Sequence, residues 1–152
     1  MQDKFKVVRS ADSDDVLRAI QGQIREVVTF GDVSDSIEDI KSGALVLINA
    51  AATADRTITL PAPAVGLYFS IIWTVASDAQ ATIIEVPSGA LLGSVLAQNG
   101  SGTTIVQSDG TDTKITVNDN IEPGCRLEFV SDGTNFIVSG AVMSADADPA
   151  FS

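Results

Sequence analysis

The stretch Thr57-Ile-Thr-Leu-Pro-Ala-Pro-Ala-Val-Gly66, with the apolar run Leu67-Tyr-Phe-Ser-Ile-Ile-Trp-Thr-Val75 behind it, reads as strand, rigid turn and strand. Thr57 to Leu60 alternate polar and apolar and include two β-branched threonines, so Ile58 and Leu60 can face a core while the threonines face water. Pro61 ends the ladder because it has no backbone N–H to donate. Pro63 repeats that constraint, and Gly66 tolerates the positive φ of a turn into the next strand. The pattern marks an all-β scaffold and carries no reactive group.

The same grammar extends outward from this stretch. Short apolar-alternating segments at 44–49, 56–60, 67–75, 81–86, 103–107, 114–117, 126–131 and 135–139 are candidate strands. Between them lie Asn99-Gly-Ser-Gly102, Ser108-Asp-Gly-Thr-Asp112 and Ser131-Asp-Gly-Thr-Asn135. These are turns in which Gly takes positive φ and Asp or Asn bonds its own backbone. Short strands without intervening helices predict a single jelly-roll or β-sandwich domain of about eight antiparallel strands over residues 42–140. The two Asp-Gly-Thr turns read as shared hairpin chemistry, each followed by an alternating strand.

The ends of the chain differ in texture. In residues 1–41, six basic side chains (Lys4, Lys6, Arg9, Arg18, Arg25, Lys41) meet nine acidic ones, a net of -3; residues 42–152 hold three basic and eleven acidic, a net of -8. The first part reads as an N-terminal arm with the first strand or strands. Phe5, Val7, Val8 and Arg9 suggest extension, and Ser13-Asp14-Asp15 suggests a short helix or turn near 13–20. A strand follows from about 23 to 30. Residues 141–152, with Asp146, Asp148 and Pro149, read as an irregular tail.

Composition narrows the function classes. A chain of 152 residues fits one domain with a substantial core. A net charge of -11 argues against nucleic acid or an anionic membrane as partner. There is no apolar run long enough for a spanning helix, and the start Met-Gln-Asp-Lys-Phe-Lys has no secretory core. The chain has no histidine, which removes the commonest general base and zinc ligand and leaves the single cysteine, Cys125, without an activating partner. It reads as a buried thiol. The carboxylate pairs Asp109 with Asp112 and Asp119 with Glu122 can be imagined as glycosidase acids or Ca²⁺ ligands, but they sit in Gly-, Asn- and Thr-rich turns and read as solvated turn groups. Tyr68 and Trp73 lie five apart in one strand and so on opposite faces, which disfavours a sugar-stacking platform and puts Trp73 in the core. The expectation is a protein without enzymatic activity and without a cofactor or metal.

In order along the chain, Ser42-Gly43, Thr57-Ile-Thr-Leu-Pro61, Gly66, the strand 67–75, Ser88-Gly89-Ala-Leu-Leu-Gly93 and Asp132-Gly-Thr-Asn-Phe136 resemble the trimeric jelly-roll modules of tailed bacteriophages. Such modules occur in head decoration (cement) proteins and in tail-fibre or tail-spike heads. The closing turn of the pattern often leads into Trp; here it leads into Phe136. The resemblance implies a homotrimer on the outer surface of a phage capsid, made in the host cytoplasm, whose partners are the major capsid protein and its own copies. Phe5, Val7, Val8 and Arg9 are the candidate capsid contacts. A tail-fibre or tail-spike head domain is the second reading, and a carbohydrate-binding module the third.

Overall fold

The computed structural model describes residues 26–37, 40, 42–76, 80–145 and 148–152. Phe5, Val7, Val8, Arg9 and the helix or turn expected at 13–20 lie outside these residues.

Among the described residues, twelve strands form two sheets: β1 (Val27–Phe30), β2 (Asp35–Ser36), β3 (Ala44–Ile48), β4 (Arg56–Thr59), β5 (Tyr68–Trp73), β6 (Thr82–Glu85), β7 (Leu91–Asn99), β8 (Gly102–Gln107), β9 (Lys114–Val117), β10 (Arg126–Ser131), β11 (Phe136–Met143) and β12 (Ala150–Phe151). The larger sheet runs β1-β3-β5-β10-β11-β7-β8 and the smaller β12-β9-β6-β4-β2. The fold is an all-β sandwich, and the described residues contain no helix.

The expectation of about eight antiparallel strands is corrected. The first six strands go alternately to the large and the small sheet, so β1, β3 and β5 lie side by side in parallel, as do β2, β4 and β6. Strands entering one sheet from the same end must run the same way, and the link between them is a strand of the opposite sheet rather than a helix. The second half is mostly antiparallel: β10 joins β5 and β11, β9 joins β6, and β7 and β8 form a hairpin whose first strand lies parallel to β11. Both sheets are therefore mixed.

Local sequence explains each strand's burial. In β4, Ile58 is buried and Thr57 and Thr59 are half-buried; Leu60 is buried just beyond, and the ladder stops before Pro61. β5 is central in its sheet; Phe69, Ile71 and Trp73 face the core, and Ser70 on the outer face is buried and accepts a hydrogen bond from Arg126, so the Phe69-Ser-Ile71 run shows no alternation. Its Trp73 is fully buried while Tyr68 remains 40% exposed. Phe69 stacks on Phe129 at 5.3 Å, and Phe136 meets both rings edge-on at 5.8 and 6.5 Å. Phe136, standing where the resembled pattern often has Trp, thus completes an all-carbon cluster that asks for no hydrogen-bond acceptor.

The tail expected to be irregular is partly regular. Residues 141–143 continue β11, Ser144 bridges to Ile121, and β12 pairs with β9. Small residues let the long β7 lie close to β11: a side chain at Gly93, whose φ is +117°, would stand 2.2 Å from the Val138 carbonyl oxygen.

Phe69→Ala is expected to cost about 3–5 kcal/mol, as a buried ring lost from a packed cluster does. Urea unfolding measures it, and Tyr68→Ala, one residue away on the outer face, should cost markedly less.

Candidate functional site

Because consecutive strands alternate between sheets, the loops sort by end. Loops leaving β1, β3 and β5 gather at one end of the sandwich, and those leaving β2, β4 and β6 at the other.

At the first end a buried arginine ties the loops together. Arg56 is 1% exposed; its Nε donates to Thr82 Oγ1 at 3.1 Å and its Nη1 to the carbonyls of Gly31 and Ala50, each at 2.9 Å. Burial pulls the guanidinium below its ordinary pKa, and the nearby Asp32 opposes that. Asp32 accepts from the Thr53 hydroxyl at 2.6 Å and its amide at 2.5 Å, which hold its carboxyl below the usual range. In sequence Arg56 is only the first residue of a strand, because its partners, two backbone carbonyls and the Thr82 hydroxyl, lie in three separate segments. This end is a structural lock.

The opposite end collects the turns that are scattered in sequence. Ser42 Oγ donates to the Gly66 carbonyl at 3.0 Å and accepts the Tyr68 amide at 3.2 Å. The Gly66 amide bonds the Ser131 carbonyl at 3.1 Å, and Val65 lies over Gly133, where a side chain would meet Val65 Cγ2 at 2.6 Å. Asn135 Oδ1 accepts the Ala90 amide at 3.0 Å, and the Phe136 amide donates to the Ala90 carbonyl at 3.0 Å. The Ser42, Pro61–Gly66, Ser88–Gly89 and Asp132–Asn135 turns are thus one cluster.

The two Asp-Gly-Thr turns have the same internal chemistry. Asp132 Oδ1 accepts the amides of Asn135 at 2.7 Å and Thr134 at 2.8 Å. Asp109 Oδ1 accepts the Thr111 hydroxyl at 2.7 Å and its amide at 2.8 Å. These bonds hold both carboxyls below their ordinary pKa. Asp112 Oδ2 accepts the Asp109 amide at 2.8 Å, so Asp109 and Asp112 close a turn rather than face a common ligand. Asp119 and Glu122 lie at the other end, where Ser144 Oγ donates to the Asp119 carbonyl at 2.7 Å and Glu122 borders a polar cleft of about 200 Å³. The described residues hold no group of three or more His, Cys, Asp or Glu placed for a metal. Cys125 is buried, its thiol accepting the Met143 amide at 3.0 Å, and burial raises its pKa.

A surface beside the turn cluster is the stronger candidate. On the outer face of the large sheet, Tyr68, Val130, Ile137 and Leu92 stand in one row across β5, β10, β11 and β7. Val130 and Ile137 are 45% and 46% exposed, and Val65 above them is 86% exposed. The next row is polar, with Ser70, Glu128, Ser139, Ser94 and Gln107. Arg126 pairs with Glu128 and donates from Nη2 to Ser70 Oγ at 3.1 Å, so the face's two charges neutralise each other. Beyond them Ile72, Ala141, Leu96 and Ile105 form a further apolar row around Arg126. The sequence shows β5, β8, β10 and β11 but not β7, and it does not distinguish this outer face, since an exposed row alternates just as a buried one does. Phe5, Val7, Val8 and Arg9 are not placed against it, being outside the described residues.

No protein-family model, no curated protein and no solved structure matches the chain.

Gly89→Ala is expected to cost about 2–5 kcal/mol, because its Cβ would stand 1.9 Å from the Thr134 carbonyl oxygen at a φ of +75°. Gly66→Ala, at a φ of +76° in open space, should cost only about 1–2 kcal/mol. Comparing the two by chemical denaturation separates the docking of the turns from backbone conformation alone. The acid limb of stability supplies a second check. Asp132 is more acidic folded than unfolded, so its contribution is present above the ordinary carboxylate value of about 3.9 and is lost as pH falls through the lower folded value. Asp132→Asn, which can still accept both amides, should flatten the fall in stability in that window.

Proposed function

We propose that the chain is a virion structural protein, a capsid decoration (cement) protein that binds as a homotrimer to the outside of a phage head and stabilises it. It is a variant of the trimeric jelly-roll modules in which the first half winds in parallel. The observation that carries the reading is the convergence of the signature turns on one end of the sandwich, where they frame the exposed row Tyr68, Val130 and Ile137 with Val65 above it. The resemblance supplies the class, and this broad, nearly charge-neutral face is what a protein that acts by contact needs.

Cementing is binding linkage. A subunit that binds the assembled shell and not its dissociated parts stabilises the shell by about 2.7 kcal/mol per site when present at 100 times its dissociation constant. No turnover is involved. In this reading the arm, with Phe5, Val7, Val8 and Arg9, reaches the major capsid protein while three sandwiches pack side by side. A tail-fibre or tail-spike head domain is the alternative of the same class. A carbohydrate module would rest its stacking on Tyr68, since Trp73 is buried.

The test is occupancy on purified shells stripped of decoration. Hundreds of bound copies per particle and a raised shell melting temperature are expected; a few tens of copies point to the tail, and no binding sinks the reading. Deleting residues 2–12 should reduce occupancy, and undiminished occupancy removes the arm from the contact.

A further inference from the structure

Four strands border the two sheets, and they are not equally protected. β2 and β12 have two residues each and β1 has four, whereas β8 has six, with neither proline nor charge. Short edges resist pairing with another chain; a long uncharged edge invites it. Neither face of β8 is well covered, since five of its six residues are exposed and Val106 is half-buried.

The ladder fixes which backbone groups point outward. The Ser108 amide bonds the Gly93 carbonyl at 3.0 Å, so in this antiparallel pair Val106 and Thr104 also bond to β7. The N–H and C=O of Thr103, Ile105 and Gln107 therefore face the open edge. Beside them Ile105, 70% exposed, stands opposite Leu96, 46% exposed, in a pair whose side chains lie close. The uncharged pairs Ser94 with Gln107 and Gln98 with Thr103 flank it.

Charge identifies the occupant. The chain carries a net of -11, yet residues 86–108, which include the whole β7–β8 hairpin, contain no Asp, Glu, Lys or Arg. Two copies repel through most of their surfaces and can meet here without opposing like charges. A basic partner would gain nothing from this edge and would settle on the acidic surfaces.

We propose that the β7–β8 hairpin is where one copy of this chain binds the next, with the open edge of β8 supplying backbone hydrogen bonds and Leu96 with Ile105 supplying the apolar centre. This rests on the trimer reading for the number of copies only.

Sedimentation velocity on the purified full chain tests it. Ile105→Asp places like charges at the contact and should raise the self-association dissociation constant about 100-fold. Thr103→Pro removes an outward N–H while sparing the bonds to β7, and it should act the same way. Val33→Asp, in the exposed loop between β1 and β2, should leave the mass unchanged. Folded Ile105→Asp and Thr103→Pro chains of wild-type mass overturn the proposal, as does equal dissociation by Val33→Asp. Hydrogen exchange on the wild-type chain needs no variant: protection at Thr103, Ile105 and Gln107 should rise with protein concentration, and concentration-independent exchange overturns the contact. A wild-type chain that occupies shells as a monomer overturns the hairpin contact and leaves decoration standing. One that trimerises through the hairpin without binding shells upholds the contact and overturns decoration.

Discussion

The two halves of this chain are joined along two seams, β5 with β10 in the large sheet and β6 with β9 in the small one. Everything else follows from how the first seam is held. Phe69 on β5 stacks on Phe129 of β10, directly opposite in register, and Phe136 closes the group from the start of β11. Aromatic pairs of this kind contribute beyond their buried area, and here they set the parallel winding of the first half against the hairpins of the second. A slip of β10 by one residue at this seam would turn Phe129 to solvent and Val130 inward, so register is fixed by burial rather than by any single turn.

The winding then decides where function can lie. Alternation between sheets sends one set of loops to a buried arginine and the other to a cluster of turns. The Arg56 end is committed to structure, because its guanidinium donates to the Gly31 and Ala50 carbonyls and the Thr82 hydroxyl, and its removal would leave Gly31 and Ala50 without that donor. The turn end is rigid for a different reason: Asp132 and Asn135 bond backbone amides, Gly89 permits an approach to the Thr134 backbone that a side chain would block, and Gly133 lies under the Val65 side chain. A rigid frame beside an exposed apolar row loses little conformational entropy when a partner covers it.

The sequence was most legible where a residue acts on its own neighbourhood. Ile58 and Leu60 point inward because strand period is two, Pro61 stops a ladder it cannot donate to, and Asp109 and Asp132 bond amides two or three residues on. Trp73 and Tyr68 separate to opposite faces by the same arithmetic. What stayed hidden depends on partners far along the chain. β7 escaped notice because Gly93, Ser94, Ala97 and Gln98 have weak strand preference, and it is held by β11 and β8. β2 and β12 are two residues long and exist only through β4 and β9. Parallel against antiparallel direction was unreadable for the same reason, as was the second role of Arg56. The candidate contact residues Phe5, Val7, Val8 and Arg9 lie in the arm, outside the described residues. The exposed rows of the large sheet are invisible in one dimension, because polarity alternates identically whether the outer face meets water or another protein.

The winding also has a kinetic side. β3 and β5 can pair as soon as both have left the ribosome, but β5 then presents an open flank until β10 is made, after β6 to β9 have been synthesised. At ordinary translation rates that interval lasts roughly several seconds. For that time the apolar strand Tyr68–Trp73 offers an unpaired border to any nascent chain nearby. The chain thus meets its greatest risk of clumping during synthesis, before its sandwich closes.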